Sequence, residues 1–259
     1  LAYSTYCDED TINKWSCGYC NTKYNLGQIE FKTTFGDSSS NGFGYLAKRG
    51  NTIILAFRGT KVHTLENWAS NLDVTLAPWS RDNPSAKVHH GFKKTYLTIK
   101  DEIEEKLTNL IASCPECDSL EVTGHSLGAG LATFCVFDIY PRLFNKHITL
   151  YTFGSPKLGN QEFVLQLVAK VGASNIWRIV EENDIVCQLP DPTSGYVHIP
   201  NECWCHSSKR SYDLCTDQAD PKCSSSVSPT KLSMSYHTRY LGFRFDQCSK
   251  RGNLEVARY

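Results

Sequence analysis

Along residues 92–113, apolar side chains recur every third or fourth position: Phe92, Tyr96, Ile99, Ile103, Leu107, Leu110 and Ile111, with lysines and glutamates between them. That spacing predicts a helix buried on one face and solvated on the other. Elsewhere the pattern changes. The turn-like run GDSSSNG (36–42) precedes FGYLAKRG and NTIILAFRG, which predict a pair of strands. Downstream, strand-like SLEVTG leads into helical GAGLATFCVFDIY, which Pro141 stops. HITLYTFG then leads into helical NQEFVLQLVAKVG, and NIWRIVEEND is a strand again. Repeated strand–helix–strand units call for an α/β fold, a central and mostly parallel sheet flanked by helices. Residues 200–230 break the pattern. Rich in Cys, Ser, Lys and Asp, they read as a disulfide-pinned excursion rather than a domain. With no internal repeat, residues 1–259 are expected to form a single domain.

Composition narrows the partners. Lys plus Arg and Asp plus Glu both number 27, for a formal net charge of +0, so nothing draws the chain to nucleic acid or to a strongly anionic surface. No apolar run approaches the roughly 18 residues of a spanning helix. The opening LAYSTYCDED has neither a basic n-region nor an apolar h-region, so either no signal peptide existed or this is a mature form. Twelve cysteines favour the mature, secreted reading, with up to six disulfides. The rival is a zinc site, since CGYC, CPEC and CWCH have metal-ligand spacing. Zinc would need two such pairs to converge, and the expectation is disulfides and no metal. A thioredoxin-like centre is disfavoured because neither CxxC opens a helix after a strand.

Candidate chemistry begins at Gly124-His125-Ser126-Leu127-Gly128, a G-x-S-x-G run set between strand and helix. Glycines two positions either side of a serine let the backbone make a sharp turn that would otherwise collide with strand or helix. Such a turn presents the hydroxyl at a helix N-terminus, whose free N–H groups can receive an oxyanion. An ordinary strand-to-helix loop is the bland alternative. A serine hydroxyl needs a base, and the base an orienting acid, in the order Ser, Asp or Glu, His. Asp184 fits at the C-terminal end of a predicted strand, where catalytic groups gather in open α/β sheets. Glu181, Glu182, Asp191 and Asp213 remain alternatives. A base beyond Asp184 is His198, His206 or His237, and chain order does not separate them.

Several motifs together resolve this. GHSLGAGLA, YTFGSPKLGN, ENDIVCQLP and HTRYLGF, with LAFRGT, ENWASNLD and VHHGF upstream, resemble the fungal-type class 3 lipase family, in order from about residue 40 to 248. The resemblance implies an α/β-hydrolase fold with Ser126 as nucleophile, Asp184 as triad acid and His237 as base. His198, His125 and His89 would be structural. It also implies that Cys7 pairs with Cys248, Cys17 with Cys20, and Cys114 with Cys117. Pairing of Cys135, Cys187, Cys203, Cys205, Cys215 and Cys223 stays open. Where the family usually has NDIVP, Cys187 replaces the proline, and a disulfide is expected to re-fix that loop.

An oxyanion needs at least two donors, since losing one costs about 3 kcal/mol. One is the N–H of Leu127, the residue after the nucleophile. The resemblance assigns the second to Thr60, through its backbone N–H and hydroxyl. The following stretch, 61–73, carries Val62, Leu65, Trp68, Ala69 and Leu72 at helical spacing. In the family this is a lid, mobile at a lipid surface, with Leu65 and Trp68 facing substrate; a permanently packed helix has the same periodicity. The resemblance therefore implies a secreted, monomeric serine ester hydrolase, without cofactor, acting on glycerolipid esters at a water–lipid interface. Within the family the alternatives are a feruloyl esterase or a phospholipase, and outside catalysis a lipid-binding relative.

Overall fold

The computed structural model describes residues 1–18, 20, 28–61, 64–70, 72–216, 220–245 and 248. In chain order its elements are α1 (Glu9–Asn13), β1 (Glu30–Gly36), β2 (Phe43–Arg49), β3 (Thr52–Phe57), α2 (Leu65–Ser70), β4 (Leu76–Pro78), β5 (Lys87–His89), α3 (His90–Ala112), β6 (Ser119–His125), α4 (Leu127–Ile139), β7 (His147–Phe153), α5 (Gln161–Val171), β8 (Ile176–Glu181), β9 (Glu202–His206), β10 (Ser211–Cys215), α6 (Met234–His237), β11 (Arg239–Tyr240) and β12 (Phe243–Arg244). A strand covered on both faces loses the alternation of apolar and polar residues, and β3 has Ile53 through Phe57 all buried. Its side chains divide between two cores. Ile53, Leu55 and Phe57 enter one cluster while Ile54 and Ala56 enter the other.

Eight strands run in the order β1-β2-β3-β6-β7-β8-β9-β10. β3, β6, β7, β8 and β9 are mutually parallel, and the antiparallel pairs lie at the two edges. This is the expected α/β-hydrolase arrangement. On one face α3 turns Phe92, Tyr96, Ile99, Ile103, Leu107 and Leu110 inward. Beside it, over β3, β6 and β7, lies α4, buried at every residue except Asp138. A helix apolar all round belongs in such a place, and Asp138 accepts a hydrogen bond from Tyr96 Oη at 2.8 Å and pairs with Lys100 at 2.8 Å. On the other face, the N-terminal segment and the strands β11 and β12 cover a cluster including Tyr3, Ile12, Tyr45, Tyr240 and Phe245.

Two expectations need correction. Residues 200–230 are not wholly an excursion: β9 lies parallel to β8, with Cys205 opposite Glu181, and β10 closes the sheet edge. And the Cys187 loop holds no disulfide, four bridges forming of the up to six that twelve cysteines allow. The described residues carry Cys7–Cys248, Cys17–Cys20, Cys114–Cys117 and Cys215–Cys223, leaving Cys135, Cys187, Cys203 and Cys205 as thiols. The three sulfur clusters with metal-like proximity contain Cys7, Cys17 and Cys248; Cys114 and Cys117; and Cys215 and Cys223. Every one of those sulfurs is in a disulfide, that of Cys17 with Cys20, so they offer no thiolate to a cation.

Candidate active site

Ser126 takes φ 58° and ψ −127° between β6 and α4. A non-glycine residue held there costs on the order of 1–3 kcal/mol. The flanking glycines make it possible: a Cβ on Gly124 would sit 2.1 Å from Gly128 O, and one on Gly128 would sit 2.5 Å from Phe57 O. Ser126 N–H donates to Phe153 O at 2.9 Å, which fixes the bend against β7. The loop leaving β3 presses on the same bend. A Cβ on Gly59 would lie 2.4 Å from His125 O and 2.9 Å from Ser126 Cβ, so glycine alone lets Thr60 follow this close. Thr60 is buried. Leu127 opens α4, and first-turn N–H groups have no partner within their helix.

Asp184 lies just beyond β8 and is 1% exposed. His237 Nδ1 stands 2.8 Å from Asp184 Oδ2, with both side chains fully buried. The Tyr240 hydroxyl also donates to Oδ2, the Val186 N–H donates to Oδ1 at 2.9 Å, and the Cys187 thiol donates to Oδ2 at 3.5 Å. The Asp184 loop is thus not re-fixed by a disulfide. Cys187 is a buried thiol and instead donates its proton to the carboxylate. Burial, reinforced by the Asp184 charge, pushes the Tyr240 hydroxyl and the Cys187 thiol well above their ordinary pKa values, so both remain donors.

The other histidines have structural work. His198 Nε2 meets Cys187 O at 2.6 Å, and His206 Nε2 meets Asp213 at 2.9 Å. His89 Nδ1 accepts from Phe92 N–H at the start of α3. His125 is buried, and desolvation followed by the nearby His237 lowers its pKa well below the usual value. Its Nε2 faces His237 O at 2.9 Å, and a carbonyl only accepts, so Nε2 carries the proton. Nδ1 then accepts from Tyr6 Oη at 2.7 Å. The elbow histidine therefore holds the backbone of His237. Tyr6, Tyr240 and Cys187 are contributors that sequence reasoning missed. The only signal for Tyr240 was its place in HTRY, one turn from His237.

What remains unspent is informative. Ser126 Oγ, His237 Nε2 and Thr60 Oγ1 are buried with no protein hydrogen-bond partner. Ser126 and His237 are each 0% exposed. The expected lid helix is shorter than 61–73. Helix α2 covers Leu65–Ser70, Leu65 is buried, and Val62, Asn71 and the Trp68 side chain lie outside what is described. Between α2 and α6 is a cavity of about 540 Å³ lined by Leu65, Glu66, Asn67, Ser233, Met234, Ser235 and Thr238.

Comparison with known proteins agrees with this layout. A profile of the family described as Lipase (class 3) matches residues 54–194. The lipase of Rhizopus oryzae is 30% identical over 255 residues, covering 96% of this chain and 63% of its own. The lipase of Rhizomucor miehei is 30% identical over 245 residues, covering 91% of this chain and 64% of its own. The chain thus spans less than two thirds of the length of these relatives. Among solved structures, the lipase from Rhizopus microsporus var. chinensis superposes with a TM-score of 0.84 at 27% identity, covering 95% of this chain and 85% of its own. The triacylglyceride lipase of Rhizomucor miehei gives 0.82 at 27% identity, covering 96% and 93%. On the profile match and the near full-length similarity, the chain belongs to the class 3 lipase family.

Proposed function

We propose that this chain is a secreted serine carboxylester hydrolase that cleaves acyl esters of glycerolipids, triacylglycerols among them. The observation that carries the reading is the buried Asp184–His237 pair at 2.8 Å, its imidazole 4.5 Å from the ring of His125 next to the positive-φ Ser126, with Ser126 Oγ, His237 Nε2 and Thr60 Oγ1 all buried and unpaired. In the proposed mechanism Ser126 Oγ attacks the ester carbonyl while His237 Nε2 takes its proton. Asp184 steadies the imidazolium through Nδ1. The Leu127 N–H and the Thr60 N–H and hydroxyl receive the oxyanion. His237 then protonates the departing alcohol, and water repeats the cycle on the acyl-enzyme. Nothing in these steps calls for a cofactor.

A nucleophile with 0% exposure cannot meet an ester until its cover moves. The cover we assign is α2, which buries Leu65 at the cavity beside α6. Shifting it would expose apolar surface, a change that a lipid interface favours and water opposes. Names of the relatives add support, since one of the Penicillium relatives is a secreted mono- and diacylglycerol lipase A. No helix among the described residues is long and apolar enough to cross a membrane. The test is Ser126→Ala, assayed for release of fatty acid from emulsified triacylglycerol. We expect kcat to fall by about a millionfold, by analogy with other serine triads. Near-normal hydrolysis by the folded variant would remove the nucleophile and the reading with it.

A further inference from the structure

Among the described residues, four cysteines stand outside the disulfides. Cys135 and Cys187 are fully buried, one in α4 and one against Asp184. Burial pushes both thiols up in pKa and keeps them protonated, which removes them as nucleophiles. Cys203 and Cys205 are different. Two apart on β9, they share one face of the strand. Their sulfurs lie 3.9 Å apart, and Cys203 is only half-buried. Trp204 and His206 belong to the opposite face, where the His206 ring packs edge-on against Trp204 and bonds Asp213. The CWCH run therefore does not converge on a cation. What this face of β9 offers is a dithiol.

We propose that Cys203 and Cys205 form a thiol–disulfide exchange site, which takes small disulfides from solution and closes to a reversible bond within β9. Cys203, as thiolate, attacks one sulfur of the small disulfide. That S–S bond breaks, and one small thiolate leaves with the electron pair. Cys205 loses its proton and attacks Cys203 Sγ, breaking the mixed disulfide and expelling the second small thiolate. The chain gives up two electrons and two protons; the small disulfide takes up both and becomes two thiols. The order of attack follows from exposure and from hydrogen bonding. Either sulfur can donate to the other, and the Cys205 thiol also donates to Cys203 O at 3.9 Å; the contact between them lowers the Cys203 pKa and raises that of Cys205, which makes the more exposed sulfur the first to attack. Reversibility follows from strand geometry. Two residues along a strand advance about 6.6 Å and their Cβ atoms stand about as far apart, beyond the roughly 3.8 Å of an unstrained bridge, so closing this bond puckers β9 locally and the bond reduces more readily than an unstrained one. The site is independent of the hydrolase chemistry.

The probe is 2,2′-dithiodipyridine, mixed with the native chain while thiopyridone release is followed. We expect two equivalents of thiopyridone, no pyridyl adduct, and a mass loss of two hydrogens that tandem mass spectrometry assigns to the peptide holding Cys203 and Cys205. Mild dithiothreitol should restore the starting mass. Cys205→Ser should release one equivalent and keep a stable adduct on Cys203; Cys203→Ser should react more slowly by about tenfold or more. A wild-type chain that retains its adduct, or a Cys203→Ser variant that reacts at the wild-type rate, would overturn the proposal. Should either variant fail to fold, the wild-type stoichiometry and bond assignment decide alone.

Discussion

Among the carboxylates buried near the C-terminal half of the sheet, Asp184 and Glu202 have surroundings that differ in kind. Glu202, 4% exposed, faces Arg178 at 2.7 Å and takes the Ser224 N–H on its other oxygen at 2.8 Å. Its partner is a guanidinium, which keeps its charge, so the pair is neutral as built. Asp184, 1% exposed, has no lysine or arginine bonded to it. It is held by dipoles instead: a backbone N–H, a phenol, a thiol and an imidazole. Dipoles can keep a carboxylate ionised without cancelling its charge. In the proposed mechanism Asp184 therefore faces an imidazolium that forms and vanishes during turnover, whereas Glu202 faces a permanent cation. Burial alone does not distinguish a structural acid from a catalytic one. The charge state of its partners does.

The sharpest way to break this contrast is to neutralise each acid in turn. Asp184→Asn should cut kcat by about 10⁴-fold, the cost seen when a triad aspartate is lost, while the melting transition moves little. Glu202→Gln should do the reverse. It strands Arg178 in the interior and should cost about 3–5 kcal/mol in chemical denaturation, with turnover of the folded fraction little changed. If Glu202→Gln abolished turnover in folded protein, the division of roles would fail.

His198 supports the Asp184 loop through Cys187 O, and burial, then Arg178 and Lys157, lowers its pKa well below the usual value. His125 is likewise kept neutral by burial, and His89 is lowered to about 4. In each case the folded pKa lies below the unfolded one, so the unfolded chain binds more protons once pH drops under about 6.5. Stability is then fully present above that pH and falls below it, by about 1.4 kcal/mol per pH unit for each such histidine. Denaturation curves between pH 7 and 4 should show this slope, and His198→Gln should reduce it by about one proton's worth. The smallest effect concerns the dipoles themselves. Tyr240→Phe removes one donor to Asp184 and should lower kcat/KM by about tenfold, equivalent to one charge-assisted hydrogen bond. An unchanged value would mean that the remaining donors suffice.

Much of the fold and part of this site were legible in the chain. The central strands and α3, α4 and α5 announce themselves because each is buried along a full face, and burial writes its period into the sequence. Ser126 was readable because its bend demands glycines at fixed offsets. The edges were not. β10 exposes Ser211 through Leu214, and β9 mixes cysteine, tryptophan and histidine, so neither carries the alternation that marks a half-buried strand. β1 was missed for the same reason, being mostly partly exposed along EFKTTFG. His237 could be chosen among three histidines only through family resemblance. The donors that hold Asp184 come from segments as far apart as Cys187 and Tyr240, and no local pattern records that they meet.

The bond between Cys7 and Cys248, separated by 241 residues, turns nearly the whole chain into a ring. In a chain-entropy account, closing so large a loop removes unfolded-state freedom worth on the order of 5 kcal/mol. It also changes what a protease can accomplish. A single cut in an exposed connection between those cysteines opens the ring but releases no fragment, so the pieces carrying Ser126 and His237 stay covalently joined and can re-form their contacts.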